Sequence, residues 1–448
     1  MRPRRGRRVH TPVTEIGSAP VCHHPELAPL VADPLDATRV GRVAALLGEW
    51  QTLRIERLPT GLVSAVHGAG ANEVSGYDAV WLRDTVHVAH AFHRTGDSEA
   101  AVEILEALLQ FQQKTVARFD DVIAGRVDAA DPHERPHVRF DGRTLEEIDV
   151  PWAHAQNDAL GYVFWLAALL MRDGAWIPDA DQHAVLARYP AYFEAIDYPN
   201  DRDSGHWEEE RRRTASSVGT VVAALETMAI ALERVDGELR GPHGFSGPLS
   251  LRSLAFRGRA VLDVLLPQES PPERGADAAT LFLLEPLGVV GGPVAAAILD
   301  RVDRELVGPY GIRRYRGDSY WCADYRELLS PETRSTDYST STAERDALLK
   351  PGTEAQWCIF DPVLAVYHAR RYRRTRHGAH RARADHHLRR AIGQITGPGE
   401  WCAPGLCTEA WFLASSDEGV YRPNDQTPLA WTQANLRWAL EEAGSMLG

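Results

Sequence analysis

Gly76-Tyr77-Asp78-Ala79-Val80-Trp81-Leu82-Arg83-Asp84 opens a helical pattern that runs from Thr85 to about Lys114 and breaks near Gly96. A glycine inside such a pattern predicts two antiparallel helices joined by the turn Arg94-Thr95-Gly96-Asp97. The unit is therefore a loop rich in aromatic and charged residues feeding a helical hairpin. The same order recurs along the chain. Trp152-Ala153-His154-Ala155-Gln156-Asn157-Asp158 opens an apolar helix reaching about Met171, and a second helix covers Asp179 to Ile196. The turn Asp201-Arg202-Asp203-Ser204-Gly205-His206-Trp207 and the carboxylates Glu208-Glu209-Glu210 precede a helix from Thr214 to Val235, partnered by one from Leu249 to Leu266. Shorter helical pieces fit 275–285 and 291–306. Helices resume at Gln356–Arg374 and His380–Gln394, and a last one runs from about Thr427 to Leu447. Upstream, Val40, Val43, Ala44, Leu47 and Trp50 fall at helical spacing within Asp36–Ile55. Roughly a dozen helices with few strands, alternating short and long connections, predict an all-α toroid. Its long loops would gather at one end, where a rigid scaffold can present function.

Length and composition narrow the classes. At 448 residues the chain can bury a large core, and a single helical barrel reaches this length. No linker separates independent units, so one domain is expected over 36–448. Residues 1–35 are Pro/His-rich and aperiodic and read as a disordered or loosely packed arm. Its start, Met1-Arg2-Pro3-Arg4-Arg5-Gly6-Arg7-Arg8, is basic but lacks the apolar region of a secretory signal. A Gly-rich loop, Gly68-Ala69-Gly70, is expected ahead of Gly76. The net charge of −13, with no basic stripe beyond the first eight residues, argues against nucleic acid and suits a neutral or cationic ligand. No run of about 18 apolar residues predicts a membrane span. Five cysteines, an odd number without C-x-x-C spacing, suit reduced thiols in a cytoplasmic protein and no structural zinc.

Five loop clusters share one composition. They are Tyr77/Trp81/Arg83/Asp84, Trp152/Gln156/Asp158, Trp207/Glu208/Glu209, Arg314/Asp318/Tyr320 and Glu409/Trp431. Aromatic faces stack on the C–H faces of sugars, while Asp, Arg and Gln bind hydroxyls with fixed geometry. A pyranose site needs this mixture. A carboxyl beside the Trp207 ring can also keep its proton near neutral pH, as general acid catalysis requires. Glu210, close to Arg211–Arg213, reads as a solvated helix-start charge, and Ser/Thr-rich 330–342 as an exposed excursion. Asp318 could equally brace Arg314 or touch sugar.

These segments resemble glycoside hydrolase family 15, the glucoamylase-like enzymes, over about residues 36 to 445. The branch that includes the α and β regulatory subunits of phosphorylase kinase and their bacterial relatives is especially similar. Tyr77-x-x-x-Trp81-x-Arg83-Asp84 looks like the segment that walls and holds the non-reducing glucose. Trp152-x-x-x-Gln156-x-Asp158, Arg314-Tyr315-x-x-Asp318-x-Tyr320 and Trp431-Thr432-Gln433-Ala434-Asn435 look like further segments of the sugar pocket. Trp207-Glu208-Glu209 looks like W-E-E, whose first Glu is the general acid and whose second binds substrate. Glu409 falls where the family's general base lies. His154 stands where glucoamylases carry Arg, as in the kinase-subunit branch, so the subsite beyond the scissile bond departs from the glucoamylase pattern.

The resemblance implies an (α/α)6 barrel with the site in long loops at one end. It implies a glucan 1,4-alpha-glucosidase-like, inverting exo-hydrolase acting on an α-linked gluco-oligosaccharide or polysaccharide, without metal or organic cofactor. Glu208, its pKa raised by Trp207 and by the Glu209 charge, would protonate the leaving oxygen. Glu409 would activate water. Two other outcomes are kept as alternatives: an α-glucan-binding or regulatory protein without catalysis, and a hydrolase of trehalose or an α-1,6-glucan.

Overall fold

The computed structural model describes residues 18–66 and 76–447. In chain order, α1 (Ala28–Val31) and α2 (Ala37–Glu49) precede β1 (Val80–Trp81), α3 (Leu82–Arg94) and α4 (Ser98–Lys114). Next come α5 (Ala117–Ile123), β2 (Arg139–Phe140), α6 (Asn157–Arg172), α7 (Ala180–Leu186), α8 (Arg188–Ala195) and α9 (Ala215–Val235). A small hairpin of β3 (Leu239–Gly241) and β4 (Gly244–Ser246) leads to α10 (Pro248–Leu265), a 3-10 segment (Ala278–Leu283) and α11 (Gly292–Glu305). Short α12 (Tyr325–Leu328) and α13 (Ala343–Asp346) cross the polar region ahead of β5 (Gln356–Trp357), α14 (Phe360–Thr375) and α15 (Gly378–Gly393). The chain ends with β6 (Ala410–Ser415), β7 (Val420–Pro423) and α16 (Ala430–Leu447).

The inner ring is α3, α6, α9, the 3-10 segment, α14 and α16; each packs on the next, and α16 closes on α3. The outer layer backs it: α4 on α3, α10 on α9, α15 on α14 and α2 on α16. This is the expected all-α (α/α)6 barrel. Side-chain caps set several starts, with Asp36, Asp97 and Thr214 accepting backbone N–H groups at α2, α4 and α9. Helix α9 is long and apolar enough to cross a membrane, a feature the apolar-run count passed over. Here that composition fits its burial between α6 and α10 in the barrel wall.

Three elements differ from the sequence reading. The helix expected over Asp179–Ile196 is split at Ala187, because Pro190 has no N–H for a bond back to Leu186 and sits instead in the first turn of α8. The fourth inner segment, expected as a helix over 275–285, is 3-10, started by Asp277 accepting from the Ala279 N–H and followed by Pro286. The loop at Cys407–Trp411 continues into β6, which pairs with β5 and β7 around the turn Ser416-Asp417-Glu418-Gly419. Gly419 there takes φ +69°, which a side chain disfavours.

The arm also differs. Leu27, Leu30, Val31 and Leu35 are buried, and Arg389 donates to the carbonyls of Ser18 (2.7 Å) and Val31 (2.9 Å). His23 stacks on Trp411 with centroids 3.4 Å apart. Residues 18–35 are therefore part of the packed structure, because apolar spacing too short to show periodicity still fills the groove over α15. The basic start and Gly68-Ala69-Gly70 lie outside the described residues. At Gly393 the arm's backbone comes so close that a Cβ would meet the Val21 oxygen at 2.3 Å. Gly393→Ala is expected to cost about 1–3 kcal/mol by overpacking. Urea denaturation should show the loss, and limited proteolysis should show new cleavage within 18–35.

Candidate active site

The site assembles where the inner segments begin. Arg83 and Asp84 occupy the first turn of α3, Gln156 and Asp158 flank the start of α6, and Trp431 lies in the first turn of α16. The 3-10 turn Gly205–Trp207 delivers Glu208 ahead of α9. Around these starts is a cavity whose walls include Tyr77, Trp81, Arg83, Asp84, Trp152, Trp207, Glu208, Arg314, Tyr320, Glu409 and Trp431. Behind two of its lining residues lies an aromatic layer: Phe282 stacks on His206 (5.4 Å) and Trp431 (5.2 Å), and His87 stacks on Trp431 (4.5 Å). The indole N–H groups of Trp152, Trp357 and Trp431, all lining residues, are buried and have no acceptor among the described residues.

Glu208 holds φ +58°, ψ +35°, left-handed geometry that a non-glycine residue rarely adopts. That turn aims its carboxyl at Arg83, whose Nη1 donates to Oε1 at 3.1 Å. Arg83 is itself fixed by Asp158 (2.6 Å), Gln156 (2.8 Å) and the Gly205 carbonyl (3.0 Å). Gln156 and Asp158 thus stand behind the wall and orient the arginine that touches the cavity. Burial pushes Glu208 up to about 7; Arg83 opposes the rise, and Asp84 and Asp158 add to it. Asp84, facing the cavity without a side-chain hydrogen bond among the described residues, is pushed up by burial to about 6. Asp84 thus takes the part expected of Glu209 in raising the acid.

Glu209 is spent elsewhere. It is 1 % exposed and accepts from Arg345 (2.5 Å), Arg314 (2.9 Å), Arg274 (2.9 Å) and the Tyr315 hydroxyl (2.6 Å). Burial alone would raise its carboxyl, but Arg345, Arg314 and Arg274 override it and hold it well below the usual range. It lies behind the cavity wall, bonded to Arg314 and Arg345, which line the cavity. Asp318 braces Arg314 bidentately at 2.6 and 2.7 Å. Trp207 is pinned by its N–H to both oxygens of Asp277 (3.0 and 3.1 Å).

Glu409 enters from the loop before β6. Asn424 Nδ2 donates to its Oε2 (2.5 Å), and the Tyr77 hydroxyl donates to Oε1 (3.1 Å). Tyr77 also meets the Tyr320 hydroxyl at 3.1 Å. Burial pushes Glu409 up to about 8, while Asn424, Tyr77 and Arg314 pull it down. If turnover needs Glu208 protonated and Glu409 ionised, kcat/KM follows a bell in pH. Activity falls at low pH as Glu409 gains a proton and at high pH as Glu208 loses one. The maximum is expected between about 7 and 8, with only a minor fraction of molecules holding the productive pair. Asn424→Ala removes a donor that favours the carboxylate, so it should move the maximum upward and lower activity at pH 7. A pH–rate profile peaking at about 4–5, where free carboxyls titrate, would contradict this.

His154 is buried, stacks on His137 (3.7 Å) and accepts from the Val138 N–H at 3.3 Å; it lines no part of the cavity. Burial lowers it to about 2, so it is neutral and structural. The 330–342 excursion is not simply exposed: Ser335, Thr336 and Tyr338 line the cavity, and Ser339 and Thr342 are buried. Asp337 takes the Ala153 N–H (2.9 Å), and Glu210, part-exposed and paired with Arg212 (3.0 Å) as its neighbours suggest, also takes the Thr342 N–H (3.1 Å) and tethers this segment. Asp277, Arg345, Trp357 and Asn424 were missed by sequence reasoning. Only the Ser-Asp-Glu-Gly turn, which marks the hairpin leading to Asn424, offered a signal for any of them.

Comparison with solved structures gives the same architecture. A glycosidase variant in complex with glucose superposes with TM-score 0.63 at 18% identity, over 92% of this chain and 100% of that one. A glucoamylase from Saccharomycopsis fibuligera gives 0.56 at 14%, over 97% and 99%. A bacterial glucoamylase complexed with acarbose gives 0.51 at 16%, over 87% of this chain and 52% of that one. At these identities the likeness is one of fold. No curated protein matches the sequence. The sequence profile described as glycosyl hydrolases family 15 matches residues 47–377, most of the chain and all four segments from Tyr77 to Tyr320, and the protein belongs to that family.

Proposed function

We propose that this glycoside hydrolase is exo-acting and inverting, releasing glucose from the non-reducing end of an α-linked gluco-oligosaccharide or glucan. One observation carries the reading: Glu208 and Glu409 line the same cavity from loops ahead of two different inner helices, each carboxyl held by its own donors. Glu208 gives its proton to the glycosidic oxygen as the bond to the anomeric carbon breaks. Glu409 takes a proton from water, whose hydroxyl joins that carbon from the opposite face. This needs the two carboxyls roughly 6.5–9.5 Å apart. Arg83 and Asp84, which line the cavity, supply hydroxyl contacts for a terminal glucose. Glycosidases of the same fold have been solved with glucose and with acarbose, which supports a gluco-oligosaccharide as the substrate.

The test is glucose release from maltose, isomaltose, trehalose and a dextrin. Release of glucose as the sole early product from at least one of them is expected. Oligosaccharides appearing before glucose would overturn exo action. Binding without turnover on every compound would favour a non-catalytic glucan-binding protein.

A further inference from the structure

Helix α10 is apolar on both of its sides. Its inner side, with Leu251, Leu254, Leu262 and Leu265, is buried where the helix packs on α9. A helix in the outer layer of a barrel normally turns polar residues to water. On α10 the opposite side instead exposes Leu249 by 84 %, Phe256 by 73 % and Val264 by 72 %. These three and Ile177 are the most exposed large apolar side chains among the described residues, so one helix carries most of that surface. A monomer rarely leaves such a patch open to water.

The patch has the shape of its own complement. At 3.6 residues per turn, Leu249, Ser253, Phe256 and Ala260 fall on one stripe, and all four are exposed. The stripe alternates large and small. Against an antiparallel copy of itself, one register seats Leu249 on Ala260 and Phe256 on Ser253, the interdigitation that packed helices need. A two-fold axis forms each of these contacts twice. Charge follows the same symmetry. Along the edge shared with α9, Arg252 pairs with Glu233 (2.7 Å) and Arg259 with Glu226 (2.6 Å). The antiparallel copy sets the first pair of one chain beside the second pair of the other, so each guanidinium meets a second carboxylate. On the other edge Arg257 is already paired with Asp197 (2.5 Å). The 18 residues of α10 span about 27 Å, and the adjoining edges of α9 and α8 widen the face to about 25 Å. That is roughly 700 Å² per copy, close to the ~800 Å² per partner of a stable interface.

We propose that the exposed face of α10 joins two copies of this chain in an antiparallel, two-fold dimer. The helix contributes no residue to the catalytic cavity, so the proposal does not depend on the hydrolase reading.

Light scattering after size exclusion, with the full chain at up to about 100 µM, reads the mass; interfaces of this size bind in the µM to pM range. Twice the chain mass is expected for the wild type. Phe256→Asp should give the single-chain mass, because losing a central aromatic anchor weakens association about 30-fold or more. Ala260→Arg removes no large apolar group but fills the seat of Leu249, and should also give the single-chain mass. Both positions face water, and circular dichroism of each variant checks that the barrel is intact. A single-chain mass for the wild type would overturn the proposal, even if vesicles of anionic lipid captured it through Phe256. A dimer left intact by either substitution in a folded variant would overturn it too.

Discussion

Glu208→Gln is expected to lower kcat/KM on maltose by about 10³-fold or more while leaving maltose binding nearly unchanged. The amide keeps the side-chain shape and an oxygen for Arg83 Nη1, so the pocket is preserved. What is lost is the proton for the leaving oxygen. The turn that presents residue 208 depends on backbone geometry at φ +58° and not on the acid, so no compensating movement is expected. A substrate whose leaving group needs little protonation, such as α-glucosyl fluoride, should suffer a much smaller loss. Initial rates on both substrates, with maltose binding by calorimetry, check this. Equal losses on the two substrates would mean that Glu208 is not the acid, and loss of maltose binding would mean that the pocket had collapsed.

The second large effect concerns stability. Glu209→Ala leaves Arg345, Arg314 and Arg274 without their shared partner inside the barrel. Arg314 keeps Asp318, and Arg274 keeps a longer contact to Asp277 (3.5 Å), but among the described residues Arg345 is left without a carboxylate, with the Ser319 hydroxyl (2.9 Å) and the Tyr338 ring (4.5 Å). Removing one member of a buried ion network costs about 3–5 kcal/mol. Glu210→Ala, one residue on and partly exposed, removes a tether to the Thr342 N–H and should cost about 1 kcal/mol. Urea denaturation of the two variants separates these outcomes. Equal, small losses would contradict a central bracing role for Glu209. Because Arg314 and Arg345 line the cavity, Glu209→Ala should also depress activity, although its own carboxyl faces away from the pocket.

Much of this was legible in sequence, for physical reasons. Glycine at 96 marks a helical hairpin, and the helix expected from Thr214 to Val235 is found as α9. The aromatic–carboxylate clusters pointed to a common pocket because loops ahead of inner helices converge. Long-range partners were not legible. Asn424 is fifteen residues from Glu409 and meets it only because β6 and β7 fold back. Arg345 reaches Glu209 across 136 residues of chain, out of a segment that reads as exposed because its composition is polar. Glu209 and Glu208 are adjacent and chemically identical in sequence. A left-handed residue at 208 turns one carboxyl to the cavity and leaves the other among three arginines, a division no pattern of residue types reveals.

The most direct test of the proposed mechanism is the anomer of the first glucose released from maltooligosaccharides, followed by NMR before mutarotation. Attack by water activated by Glu409, on the face opposite Glu208, predicts β-glucose from an α-linked substrate. Fresh α-glucose would mean retention of configuration and would contradict the pairing of Glu208 and Glu409 as acid and base.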